Sequence, residues 1–254
     1  MIQPFFSIIT ASFNSEKTIF DTINSVLDLK FTDFEYIIID GNSTDATLKI
    51  IESFAERFKN KSIYYKFISE KDLGIYDAWN KGVALSAGKW VSFLGSDDTY
   101  LNDALTNYYS QIEKFSDCNY ISSQVELVNQ KKEKIAIIGK KYNWERANRD
   151  IDVAQVGSFH KKELLDAVGL FSTKYKIVGD LDFYLRCKNY IRPAYFKIIT
   201  AKMQNGGVSN QIYNALKEAL LVKLHFNNRS KMLCYYDFYS SLLKCYIKIL
   251  IKKK

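Results

Sequence analysis

The chain has 254 residues, 47% of them hydrophobic and 25% charged, which excludes a disordered or fibrous protein and leaves one large α/β domain or a domain with an appendage. Its net charge of +8 is unevenly placed: residues 1–210 carry 27 Lys/Arg and 26 Asp/Glu, whereas residues 211–254 carry nine and two. A body so close to neutral excludes most nucleic-acid readings, which need a basic stripe on the folded surface.

The opening "MIQPFFSIIT" has no basic n-region and no cleavage site, so no signal peptide is expected. "FFSIITA" reads as a strand, and Thr10 to Asn14 make a polar exit into a helix over 16–29. "EYIIID" is a second strand, apolar enough to be covered on both faces. It ends at Asp40, and "GNSTDAT" turns into a helix that runs to about residue 58. "SIYYKFI" is the third strand, "GIYDAWNKGVALS" a helix, and "KWVSFL" the fourth strand. Strands and helices alternating at this spacing predict a single doubly wound, mostly parallel α/β sheet flanked by helices.

Beyond residue 102 a helix to about 115 precedes strands near 119–128 and 134–138, a hairpin over "NQKKE". "KKYNWERANRD" reads as loop, and helices follow from about 162 and within "VGDLDFYLRCKNY". The last twenty residues, "YYDFYSSLLKCYIKILIKKK", form an amphipathic helix. Tyr235, Tyr239, Leu242, Tyr246 and Ile249 lie on one face, and Asp237, Ser241, Lys244, Lys248 and Lys252 on the other. Two outcomes stay open for it: the apolar face packs on the body, or the helix lies in the plane of an anionic membrane surface. Its charges interrupt it too soon for a bilayer span.

In open α/β sheets, ligands sit outside the carboxyl ends of the strands. Thr10 and Ser12, Asp40, and the pair Asp97 and Asp98 each follow such an end. The pair is conspicuous: "KWVSFLGSDD" aims two adjacent anions out of a buried strand, and their mutual repulsion calls for a positive partner. No GxGxxG and no P-loop occurs, which removes the usual dinucleotide and NTPase readings. Cys118, Cys187, Cys234 and Cys245 stand far apart and suit free thiols in a reducing cytoplasm. Only His160 and His225 exist, so a zinc site is not expected.

Four stretches, in order, resemble the inverting family-two glycosyltransferases of the A-type nucleotide-sugar-binding, Rossmann-like fold. They are "SIITASFN", "EYIIIDGNSTDAT", "SEKDLGIYDAWNKGVALSAGKWVSFLGSDD" and "GDLDFYLR", the last followed by "NGGVS". The resemblance implies a catalytic domain over 1–210, with a nucleotide-sugar half (1–100) and an acceptor-side half (101–210), and a basic helical tail over 211–254. It implies that Thr10, Ser12, Asp40, Asp72, Asn80, Ser96 and Asp97 line the nucleotide site, with Asp40 on the pyrimidine base. Asp98 is then the ligand of a Mn²⁺ or Mg²⁺ cofactor, a hard cation that takes carboxylate and phosphate oxygens. Asp180 falls at the catalytic base, with Asp182 as its rival.

The implied reaction moves a hexosyl or N-acetylhexosaminyl group from a UDP-sugar to a hydroxyl of a glycan or lipid-linked glycan in bacterial surface polysaccharide synthesis. The place implied is the cytoplasm or the inner face of the inner membrane. A nucleotidyltransferase would show a glycine-rich triphosphate loop after the first strand, where "TASFNSEK" has none. A catalytically silent binding module would not keep Asp40, Asp98 and Asp180. Four departures from the family pattern stand out. Gly179 replaces a frequent Glu, Gln155-Val156 a frequent His-Gln, Gly95 a frequent Asn, and Leu73 a polar residue.

Overall fold

The computed structural model describes residues 3–149, 151–206, 211–226 and 228–252. Positions 207–209 of "NGGVS" lie outside these residues, as do the side chains of Lys248, Ile249 and Lys252.

The first half alternates as the sequence predicts. In chain order it comprises β1 (Phe6–Ser12), α1 (Ile19–Leu27), β2 (Phe34–Asp40), α2 (Thr47–Ser53), α3 (Ala55–Asn60), β3 (Tyr64–Ser69), α4 (Ile75–Leu85) and β4 (Trp90–Phe93). These strands are parallel neighbours in the order β3-β2-β1-β4. Every residue of β2 is buried, because helices cover both faces of the sheet. Tyr36 and Ile38 enter one core with Ile19, Ile23 and Val26 of α1, while Ile37 and Ile39 enter a second with Tyr76, Trp79 and Val83 of α4. The strand period of two thus sorts one strand's side chains between two cores.

The second half is mixed. It comprises β5 (Thr99–Tyr100), α5 (Ala104–Lys114), β6 (Tyr120–Val128), β7 (Lys134–Ile138), α6 (Trp144–Ala147), β8 (Ser158–Lys161), α7 (Lys162–Val168), α8 (Gly179–Arg186) and β9 (Pro193–Gln204). β8 lies antiparallel between β4 and β6, and β6 runs parallel to β9. The β6–β7 hairpin forms as expected. The doubly wound frame is therefore parallel through β4 and mixed beyond it.

Several elements differ from the sequence reading. The helix expected to reach residue 58 breaks at Phe54, whose amide bonds to Ile51, three residues back, while its ring is fully buried. The "KKYNWERANRD" loop contains α6, capped by the Asn143 side chain, which accepts from the Arg146 amide. β9 was not foreseen: Lys197 and Lys202 interrupt its apolar run, and its pairing with β6 is irregular near Gln124.

The tail forms two helices, α9 (Ile212–Phe226) and α10 (Lys231–Lys252). α9 belongs to the body, with Val222 fully buried in the second core and Ala219 and Phe226 packed against it. α10 is turned the other way from an ordinary amphipathic helix. Cys234 and Asp237 are its buried residues, whereas Tyr235, Tyr236, Tyr239, Leu243 and Tyr246 are exposed. Of the face expected to pack on the body, Tyr235, Tyr239 and Tyr246 thus point to solvent and Leu242 is half-buried. Among the described residues no helix is long and apolar enough to cross a membrane.

Candidate active site

Parallel register brings Ser12, Asp40 and Ser69 side by side at the carboxyl ends of β1, β2 and β3. Asp40 has no exposed surface. Its Oδ1 accepts from the hydroxyls of Ser12, at 3.1 Å, and Ser43; its Oδ2 accepts from the Ser43 amide at 2.9 Å and the Ser69 hydroxyl at 2.7 Å. The carboxylate expected on the base is thus the hub that holds the β2 exit turn to both neighbouring strands. Removing it leaves four donors without their acceptor, one on buried Ser12 and three on half-buried Ser43 and Ser69. Asp40→Ala is expected to cost roughly 3 kcal/mol of stability, read as a lower unfolding midpoint of the nucleotide-free protein.

Two other residues named from the sequence are also structural here. Thr10 is fully buried and its hydroxyl accepts from Tyr36 at 3.0 Å, because alternation along β1 turns it into the core. Asn80 is committed at both ends of its amide, donating to the Phe171 carbonyl at 2.8 Å and accepting from the Phe171 amide at 3.0 Å. It pins α4 to the chain ahead of α8.

Asp72 keeps a facing carboxylate oxygen. Its Oδ1 accepts from the Gly74 amide at 2.9 Å, and its Oδ2 stands over Gly41, only 2.8 Å from where a Cβ would be. The Phe13 ring edge lies 3.4 Å from the same point, and Phe13 is 61% exposed. The ring is thus open to solvent beside a carboxylate at the strand ends. Sequence reading passed over Phe13. Its signal was the one aromatic residue in the polar exit "TASFNSEK".

Beyond β4, the Ser96 hydroxyl meets that of Ser15 at 2.8 Å, which ties the acidic pair's turn to the β1 exit. Gly95 explains the convergence of the pair. A Cβ there would stand 2.7 Å from Asp98 Oδ2 and 3.0 Å from Asp97 Oδ1, so both carboxylates fold back over the same point. Asp98 is nearly buried, and its Oδ1 accepts from the Gln204 amide at the end of β9, at 2.9 Å. Burial first, and the charge of Asp97 second, push its carboxyl up to about 7. Burial also raises Asp97. Two crowded anions sharing one side of a turn form the hard-oxygen donor set that a divalent cation relieves, so these residues fit the expected Mn²⁺ or Mg²⁺.

Asp180 opens α8. Its Oδ1 accepts from the Leu181 amide at 2.8 Å and from the Tyr76 hydroxyl at 3.4 Å. Burial raises its carboxyl to about 6. The residue lines a cavity of about 470 Å³, whose other walls include Val178, Leu220, Asp237, Ser241 and Lys244. Gly179 lets the Tyr76 ring lie against the start of α8, where a Cβ would come within 2.8 Å of it. Asp182 is bound differently: it accepts from Arg186 Nε at 3.0 Å, and that guanidinium also holds the carbonyls of Val168 and Leu170.

A further support was invisible in the sequence. Glu218 of α9 accepts from the backbone amides of Lys176, Ile177 and Val178 at 2.9–3.3 Å, and so anchors the approach to Asp180. The tail is part of the site's scaffold. His160 is fully buried among Phe93, Tyr120 and Phe183, and burial lowers it to about 3. It is a neutral core residue. The Gln155 side chain accepts from Tyr184 at 2.8 Å, and Leu73 is exposed. The described cysteines are free.

A doubly wound sheet with carboxylates at its strand ends, and one more at a helix N-terminus, is the arrangement expected from the sequence resemblance. The chain matches glycosyl transferase family 2 over residues 7–162 and belongs to that family; it is a glycosyltransferase. It is 29% identical over 218 residues to a PGL/p-HBAD biosynthesis glycosyltransferase of Mycobacterium bovis, spanning 84% of this chain and 82% of the relative. It is 36% identical over 103 residues to the putative teichuronic acid biosynthesis glycosyltransferase TuaG of Bacillus subtilis, 41% of this chain and 40% of that one. The fold is shared with S. aureus TarS 1–349, solved with UDP-GlcNAc, at a TM-score of 0.67 and 19% identity over 94% of this chain and 71% of that one. It is shared too with the mannosyltransferase PcManGT of Pyrobaculum calidifontis, solved with GDP-Man and Mn²⁺, at a TM-score of 0.66 and 13% identity over 97% and 76%.

Proposed function

We propose that this enzyme catalyses metal-dependent, inverting transfer of a hexosyl or N-acetylhexosaminyl group from a UDP-sugar to a hydroxyl of a glycan or lipid-linked glycan. Bacterial surface polysaccharide synthesis is the setting, at the cytoplasmic side of the membrane. The observation that carries the reading is Asp180, a carboxylate raised by burial and placed on the wall of a cavity large enough for a sugar. The acceptor oxygen attacks the anomeric carbon while Asp180 takes its proton, and the bond to the diphosphate breaks with its electron pair leaving on the diphosphate. Attack from the face opposite the leaving group inverts the anomeric centre. A divalent cation at Asp98, with Asp97 beside it, would supply neutralising charge for the diphosphate. Phe13 and Asp72 suit the base and ribose ends of the donor, and Ser96 the turn between them. The neighbours solved with UDP-GlcNAc and with GDP-Man are in keeping with a nucleotide-sugar donor.

A panel of nucleotide sugars tests the reading by the thermal shift each causes with and without Mn²⁺, because a ligand of the native state raises the midpoint by mass action. One UDP-sugar is expected to stand out and to be hydrolysed slowly without acceptor. Phe13→Ala is expected to weaken that donor by about 1–3 kcal/mol, the usual worth of base-on-aromatic stacking. A panel in which no nucleotide sugar shifts the midpoint defeats the proposal.

A further inference from the structure

We infer that α10 lies flat on an anionic lipid bilayer with its outward face, while its inward face walls the Asp180 cavity. The inward face carries the helix's one carboxylate, with Cys234 buried and Phe238 half-buried beside it. Asp237 is buried between Arg229, at 3.3 Å, and Arg149, at 3.7 Å, and Asp237, Ser241 and Lys244 border the cavity. The outward face is apolar and aromatic. Tyr236, Tyr239, Leu243 and Tyr246 recur at helical spacing and are 62–65% exposed, flanked by exposed Met232, Leu233 and Ile247. A helix that hides its carboxylate and shows its tyrosines has its hydrophobic partner outside the protein.

The chemistry of that face selects the partner. Residues 211–254 hold nine Lys/Arg and two Asp/Glu. Both acids are turned inward, Glu218 onto the backbone ahead of α8 and Asp237 onto its two arginines. Lys231 and Lys244 on α10, and Lys217 on α9, are exposed. The outward stripe is therefore aromatic and aliphatic, with no carboxylate among its described residues, and Lys231 and Lys244 stand at its two edges, Lys244 on the cavity side. Tyrosine and aliphatic side chains beside lysines suit the boundary between acyl chains and anionic headgroups. A second copy fits poorly, because pairing the two stripes would bring together two tails that each carry nine Lys/Arg against two Asp/Glu, both acids already engaged inward. The helix has 22 residues yet does not qualify as a span, which leaves in-plane attachment. Docked this way, the far wall of the cavity sits at headgroup height. Resting on the transferase reading, this places the acceptor hydroxyl on a molecule held in the bilayer.

The full chain, mixed with sedimenting vesicles of phosphatidylcholine with or without phosphatidylglycerol, tests this. Binding is expected to be at least tenfold stronger with phosphatidylglycerol and to fall at least tenfold between low and high salt. Tyr236→Glu with Leu243→Glu, two exposed positions, is expected to abolish binding while leaving the unfolding midpoint and donor hydrolysis unchanged. Equal binding to both vesicle types, or undiminished binding by the double variant, overturns the inference. So does a dimer in light scattering that the same variant disperses while neither protein binds vesicles. Vesicle binding is read without a donor, so its failure is distinct from failure of the transferase reading, which would show as loss of donor hydrolysis.

Discussion

Asp180→Asn is expected to leave donor affinity within a few-fold and to cut turnover by roughly 10²–10⁴, the usual worth of a positioned general base. The amide keeps the shape and can still accept from the Leu181 amide, so the start of α8 is not disturbed. Only the proton acceptor is removed. The same residue sets the acid limb of the rate. Burial holds its carboxyl at about 6, against 3.8 in water, and only the ionised form takes a proton. kcat is therefore expected to fall as pH drops through about 6 and to be level above it. Stability moves in the opposite sense. A folded-state value above the unfolded one means the buried charge opposes folding above pH 6, so the Asn variant gains stability there and loses that gain as pH falls toward 3.8. Asp182→Asn instead weakens the Arg186 anchor and is expected to lower the midpoint with far less effect on kcat. A large kcat loss in Asp182→Asn, with Asp180→Asn near wild type, would move the base to the other carboxylate.

The frame around these carboxylates was legible because it is periodic. A fully apolar "EYIIID" followed by a polar turn states both a two-sided strand and its exit, and parallel register then aligns Ser12, Asp40 and Ser69. Sequence pattern could not tell which polar side chains the fold would use up. Thr10 and Asn80 stand at family positions, yet a tyrosine hydroxyl and a loop backbone claim them through contacts 26 and 91 residues away. Asp40 is claimed the same way by Ser69. Phe13 was missed for the converse reason: exposure, not type, marks it out. β9 was illegible because lysines sit in its alternation, and its partners β5 and β6 precede it by many residues. The tail's amphipathic pattern was plain, but a pattern has no inside. Only the packing of Asp237 against two arginines decides which face points in.

Asp98→Asn is expected to reduce donor binding and turnover together, by roughly 10²-fold or more in kcat/KM, because the cation it would hold would neutralise charge on the diphosphate, an effect worth several kcal/mol. The geometry makes Asp98 the stronger of the two ligands. It is the more deeply buried, it is fixed by the Gln204 amide, and it leaves Oδ2 turned toward Asp97 over Gly95. Asp97→Asn is expected to do less harm, since its carboxylate is partly exposed and lacks that backbone clamp. Gly95→Ala separates this explanation from simple loss of charge. It keeps both carboxylates, but its methyl group would stand 2.7 Å from Asp98 Oδ2 and drive the pair apart. Its Mn²⁺ affinity, measured by calorimetry, is expected to fall while its net charge is unchanged. The pH dependence has a definite sign. Without a cation the Asp98 carboxyl sits at about 7, and a protonated carboxyl does not ligate, so Mn²⁺ should bind more tightly at pH 8 than at pH 6 and should release protons on binding. Full activity in excess EDTA, with a proven donor and acceptor, would show that the diphosphate leaves without a cation and that the paired aspartates do something else.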